Sequence, residues 1–244
     1  MNKKQLIHKL LKGLETGDPE SVSVVNEEKY IQHNPQTEEG SEGLAALFKR
    51  LSKTSPRVNI VRVFEDGDFV FAHTEYDFAN RNIGFEIFRF ENSQAVEHWD
   101  NIQKRMKPNA NELSMVDGVS EVSDHASTEF NRGVIKQFVE NVLIKGCPEQ
   151  LPDYINPENY REHNPNLDKD LSRFGASVCY QYERCHRVLA EGNFVLSVCE
   201  GDINHIHSSF FDLYRLENEK IVEHWDTIEA IPPRSEWKNN NGKF

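Results

Sequence analysis

The feature that most constrains this chain is that it writes much of its own sequence twice. "YIQHNP" at Tyr30–Pro35 returns as "YREHNP" at Tyr160–Pro165, which sets His33 and His163 130 residues apart. "EDGDFVFAHTE" at Glu65–Glu75 returns 125 residues later as "AEGNFVLSVCE" at Ala190–Glu200. "FEIFRFENSQAVEHWD" at Phe85–Asp100 returns 126 residues later as "FDLYRLENEKIVEHWD" at Phe211–Asp226. Three blocks in one order at a nearly constant offset mark a tandem duplication. The 244 residues suit two domains of about 100–130 residues each. The stretch Lys104–Ser127 is polar and poor in aromatic residues, so residues 1–110 read as the first domain, 111–126 as a linker and 127–244 as the second domain.

Within each copy, helical periodicity comes first and strand alternation second. Leu6, Ile7, Leu10, Leu11 and Leu14 fall on one helical face that ends near Gly17, and Val134, Ile135, Phe138, Val139 and Val142 do the same in the second copy. "VNEEKYIQHNP" reads as a short helical or irregular stretch stopped by Pro35, and "SEGLAALFKRL" as a helix with Leu44, Leu47, Phe48 and Leu51 on one side. Two hairpins follow, "VNIVRVFE-DGD-FVFAHTEYDF" and "FEIFRF-ENSQ-AVEHWDNI". Helices followed by an antiparallel meander give an α+β class, with helices covering one face of the sheet.

The formal net charge of −12 opposes nucleic-acid and anionic-membrane partners, and no apolar run approaches the roughly 18–20 residues of a membrane helix. Lys9 and Lys12 interrupt any signal-peptide core, so the expected compartment is the cytoplasm. Cys147, Cys179, Cys185 and Cys199 form no Cys-x-x-Cys pair and read as free thiols.

Together "YIQHNP", the "GDFVFAH" strand and "FRFEN…VEHWD" resemble the SnoaL-like branch of the nuclear transport factor 2 superfamily, a branch associated with aldol condensation and polyketide cyclisation. The resemblance covers both halves. It implies two cone-shaped domains with a pocket in each mouth, a small-molecule ligand, and pairing through the sheets as an internal pseudo-dimer or a homodimer. The same fold hosts isomerases, hydrolases, cyclases and binding proteins, so it does not choose the activity.

Strand alternation puts His98 and Asp100 on one face and Glu97 and Trp99 on the other, and likewise His224 and Asp226 against Glu223 and Trp225. A desolvated carboxylate beside an imidazole suits general acid–base work, and the resemblance adds to a pocket role for Asp100 and Asp226. A buried hydrogen-bonded lock is the competing reading. His33 and His163, just before Asn-Pro, are expected to point into the mouth opposite those carboxylates. Tyr30, Tyr160 and His73 are expected to line the cavity, with Trp99 and Trp225 as packing or ligand-contact residues. Val198 replaces His73 in the second copy, so the two pockets differ. His205 and His207 fall on one strand face at i, i+2, but no established metal-site spacing is present, so neither metal nor cofactor is expected. The resulting reading is acid–base chemistry on a small carbonyl compound. Its rival is a non-catalytic binding or assembly module of the same fold.

Overall fold

The computed structural model describes residues 1–51, 53, 56–78, 80–167 and 180–244. Cys179 lies outside them. The chain divides into two compact units, Met1–Lys104 with Ile231–Phe244, and Arg105–Ala230. The expected linker 111–126 is therefore part of the second unit, and the last residues belong with the first. The physical reason is hydrogen bonding: Asn109, Ser114, Asp117 and Ser123 all bond to the second unit's own strands and loops.

In the first unit, α1 (Lys3–Thr16) starts at a capping box in which Asn2 and Gln5 satisfy each other's backbone N–H, and it ends at Gly17 in the left-handed region. A 3-10 turn (Pro19–Val24) leads to β1 (Ile31–Gln32), followed by α2 (Gly40–Leu51), β2 (Arg57–Asp66), β3 (Phe69–Asp77), β4 (Arg81–Glu91) and β5 (Gln94–Lys104). The sheet order is β1-β5-β4-β3-β2. Neighbours are antiparallel except β1, which runs parallel to β5 with Gln32 opposite His98. The sheet is thus mixed, and this two-residue parallel strand is what the sequence reading took for an irregular stretch.

The second unit has α3 (Thr128–Phe138), a π-helical continuation (Val139–Ile144), α4 (Leu151–Tyr154), β6 (Arg161–Glu162), β7 (Tyr180–Glu191), β8 (Phe194–Ile203), β9 (Ile206–Glu217) and β10 (Lys220–Ala230). Its order, β6-β10-β9-β8-β7, repeats that of the first sheet strand for strand. Register shifts recur at matching places, between Ile60 and Arg62 on β2 and between Cys185 and Arg187 on β7. Such bulges sharpen strand twist and curl a sheet around its helices.

Each unit has its own core. In the first, Ile7, Leu10, Leu11 and Leu14 of α1 meet Val70, Ala72 and Phe88 of the sheet, whereas in the second Ile135, Phe138 and Val142 meet Val195, Phe210 and Tyr214. The sheet face that carries these core residues also carries His98 with Asp100, and His224 with Asp226. Strand register fixes this, since His98 is opposite Phe88 and His224 is opposite Tyr214.

Candidate functional site

The repeated "VEHWD" splits by face, as alternation requires, and the two faces carry different constructions. On the helix-covered face of the first unit, Glu86 of β4 is the register partner of Asp100. Its Oε2 lies 2.7 Å from His98 Nε2, and its Oε1 accepts from the Tyr76 hydroxyl at 2.7 Å. His98 Nδ1 lies 3.0 Å from Gln32 Oε1, an atom that also accepts the Asn34 backbone N–H. Each His98 nitrogen therefore faces a side-chain oxygen, Glu86 on one side and Gln32 on the other. Asp100 Oδ2 accepts from the Asn34 amide at 2.8 Å. Its Oδ1 is buried with no hydrogen-bond partner among the described residues, and lies 3.9 Å from Lys243 Nζ. Lys243, itself 4% exposed, donates to the Asp100 backbone oxygen at 2.7 Å.

Two buried tyrosines border this cluster. Burial, then the charges of Asp100 and Glu86, raise the Tyr30 hydroxyl well above its ordinary range; burial and Glu86 do the same to Tyr76. Both stay protonated, and Tyr76 is the donor to Glu86. Tyr30 sits over His98 with ring centroids 6.4 Å apart. Gly84 is needed here, because a Cβ would come within 2.7 Å of Thr74, Tyr76 and Glu86 side-chain atoms.

The second unit rebuilds the cluster with one decisive change. Glu162 stands at the place of Gln32. His224 is held between two carboxylates, Glu162 at 2.9 Å from Nδ1 and Asp212 at 3.1 Å from Nε2. Asp226 accepts from Asn164 at 2.7 Å, as Asp100 does from Asn34. Tyr182 and Tyr160 donate to Asp212 and Glu162. The hydroxyl on the strand carboxylate comes from β3 in the first unit and from β7 in the second.

The opposite face is a lock. His33 stacks on Trp99 at 4.6 Å, with Nε2 2.9 Å from Glu97 Oε1 and Nδ1 2.9 Å from the Gly242 carbonyl oxygen; Arg89 donates to Glu97 at 2.6 Å. In the second unit His163 stacks on Trp225 at 4.7 Å, and the partners are Glu223, the Ser114 carbonyl oxygen and Arg215. Burial pushes the Glu223 carboxyl up, but hydrogen bonds from His163 and Arg215, with the charge of Arg215, more than reverse this and hold it below the ordinary carboxylate range.

The structure thus brings Asp100, His98 and Tyr30 together, and Asp226, His224 and Tyr160 together. It separates them from His33, His163 and His73, which corrects the expectation that these line the carboxylate pocket, and it keeps Trp99 and Trp225 on the opposite face, as strand alternation predicts. The reason is that β1 and β6 are extended: Tyr30, Gln32 and Asn34 alternate onto the inner face while His33 turns outward. His73 sits 2.7 Å from an Arg62 nitrogen and edge-on to Phe85, on the face opposite Ala72 and Thr74. His205 occupies the β8–β9 turn with φ 65°, so it shares no strand face with His207, which pairs with Glu200 at 2.8 Å.

Sequence reasoning missed Glu86, Gln32, Asn34 and Lys243. Reading "YIQHN" with period two would have found Gln32 and Asn34, whereas nothing local marks Lys243. It arrives with a strap in which Lys238, Asn239 and Asn241 bond to Pro35, Asn34, Thr37 and Gln32 backbone oxygens. Asn109 and Ser114 strap the second unit equivalently, and there the residue after the carbonyl on histidine is Met115 rather than Lys243. Glu86, His98 and Asp100, and likewise Asp212, His224 and Asp226, offer ligand atoms within 4.8 Å of one another, a donor set that could hold a divalent cation.

A five-stranded mixed sheet with its helices, built twice, is an α+β arrangement. The first unit is a SnoaL-like domain: residues 7–98 match the family of that description, from α1 to the histidine of "EHWD". Among solved structures, TsrD from Streptomyces laurentii aligns at 23% identity over 41% of this chain and 86% of its own, with a TM-score of 0.37. An NTF2-like protein of unknown function from Cytophaga hutchinsonii aligns at 16% identity over 42% of this chain and 91% of its own, TM-score 0.37. An LEH-like epoxide hydrolase of M. tuberculosis aligns at 16% identity over 41% and 80%, TM-score 0.36. No curated protein matches the chain. Among the described residues no helix is long and apolar enough to cross a membrane.

Proposed function

We propose that the chain is a tandem SnoaL-like small-molecule pocket protein whose first unit moves a proton at a carbon flanked by carbonyls, in an aldol-type condensation, cyclisation or isomerisation. One observation carries this reading: the buried Oδ1 of Asp100, which has no hydrogen-bond partner among the described residues, beside an imidazole whose Nδ1 meets the neutral amide of Gln32. Asp100 is the base that takes the proton from carbon. His98 Nδ1–H is the acid, because an enolate oxygen is a stronger acceptor than an amide and can displace Gln32. Glu86 holds the ring through Nε2, and Lys243 Nζ lies 3.9 Å from Asp100 Oδ1. The substrate's own carbonyls acidify the carbon, so these steps need no cofactor.

The rival reading, a non-catalytic binding or assembly module, fits the second unit. There Nδ1 is held by the Glu162 carboxylate in a charge-assisted bond that an enolate would not displace. We therefore assign the chemistry to Asp100 and His98, and a supporting role to Asp226 and His224.

The test is deuterium wash-in at the acidic carbon of a panel of 1,3-dicarbonyl compounds, followed by proton NMR. The wild type is expected to accelerate exchange over buffer for at least one member, Asp100→Asn to abolish this, and Asp226→Asn to retain most of it. No acceleration across the panel, or full activity in Asp100→Asn, overturns the assignment.

A further inference from the structure

Two thiols stand beside the second unit's cluster with no counterpart in the first. Cys185 of β7 and Cys199 of β8 are direct register partners in an antiparallel pair. Opposed residues in such pairs have Cα atoms about 4.5–5.5 Å apart, inside the roughly 4.4–6.8 Å that a disulfide spans. Both are free thiols; Cys185 is partly exposed and Cys199 fully buried. Cys199 lies on the inner face next to Tyr182 and Phe210, two residues from Ser197, the register partner of Asp212. The matching pair in the first unit is Ile60 and Thr74, at the same bulge. The second copy alone has this chemistry.

We propose that Cys185 and Cys199 form a site of reversible oxidation by hydroperoxides, closing a cross-strand disulfide against the Asp212–His224 cluster. Cys185, the exposed member, attacks the peroxide: its thiolate takes one oxygen, becomes a sulfenic acid, and with one proton releases water or alcohol. The Cys199 thiol then displaces hydroxide from that sulfur, and the second proton completes a molecule of water. Two thiols and one hydroperoxide thus give one disulfide, one water and one water or alcohol. The division of labour has an electrostatic basis. A hydrogen bond from Cys199 lowers the Cys185 thiol below its ordinary range, while that same bond, then burial, raise Cys199. The charge of Asp212 acts on both thiols, so oxidation alters the field at the cluster.

The experiment is hydrogen peroxide treatment of the folded, reduced chain, followed by alkylation and peptide mapping. The expected result is a Cys185–Cys199 cross-linked peptide about 2 Da lighter than its reduced parts, with labelling of both thiols down about tenfold and restored by dithiothreitol. Cys185→Ser should remove the cross-link. Because Cys199→Ser could disturb the core, Cys199→Ala serves as the second variant, and there Cys185 should be trapped as a dimedone-reactive sulfenic acid. Undiminished labelling of both thiols after peroxide, or a cross-link of Cys185 to Cys147 or Cys179 instead, overturns the proposal.

Discussion

Replacing Glu223 by Gln should destabilise the second unit far more than the same change at Glu97 destabilises the first. The two carboxylates hold the same partners, an imidazole Nε2 and an arginine Nε. Their surroundings differ: the Glu223 and Arg215 side chains are 0% and 9% exposed, those of Glu97 and Arg89 16% and 27%. In the glutamine variant one donor meets an NH2 group and loses its acceptor. At Glu223 no water can replace it, and breaking a buried ion pair from one side costs about 3–5 kcal/mol. At Glu97 water reaches the orphaned donor, and the cost falls to about 1–2 kcal/mol. With an m-value of about 2 kcal/mol/M, the first change moves the urea midpoint by about 2 M and the second by less than about 1 M. Urea titration read by hydrogen-exchange mass spectrometry on peptides from each unit reports the two separately. Equal shifts, or a larger one for Glu97→Gln, would refute the reasoning that burial of the lock sets its worth.

Further outcomes follow from the same geometry. Because the Glu223 carboxyl is depressed in the folded state, its contribution is present above the unfolded carboxylate range and is lost as pH falls through the folded value; acid titration of the second unit should be flatter in Glu223→Gln. Gln32→Glu, which installs the second unit's carboxylate in the first, should abolish deuterium wash-in while leaving the urea midpoint unchanged or higher. Lys243→Met should slow wash-in without unfolding the first unit, checked by the same NMR assay beside circular dichroism. Wash-in should survive exhaustive chelation; loss with EDTA and recovery with one divalent ion would move the Glu86, His98 and Asp100 donor set to the centre of the mechanism. The internal pseudo-dimer implied by the family resemblance remains a proposal: light scattering at one chain's mass supports it, whereas twice that mass replaces it with a homodimer.

The fold was legible wherever a period ran long enough. Leu6 to Leu14 declared α1, and the alternation of "VEHWD" correctly divided His98 and Asp100 from Glu97 and Trp99. It failed at "YIQHNP", where a two-residue strand is too short to show its period and the proline suggested a frayed helix. That one misreading put His33 on the wrong face and hid Gln32 and Asn34. Glu86 was hidden differently, as a charged residue in the apolar strand "FEIFRF" whose partner is known only from the β4–β5 register. Lys243 could not be found at all, because it reaches Asp100 across 143 residues of chain.

The central claim is that Asp100 serves function and not stability, and the urea midpoint of Asp100→Asn tests it most directly. The Asn side chain can keep its oxygen on the Asn34 amide, and Lys243 keeps its hydrogen bond to the backbone oxygen of residue 100, so no existing hydrogen bond is lost. The expected change is within about 1 kcal/mol of wild type, in either direction, while wash-in activity disappears. A loss of about 3 kcal/mol or more would show that Asp100 is a buried lock like Glu223, and would contradict its assignment as the base.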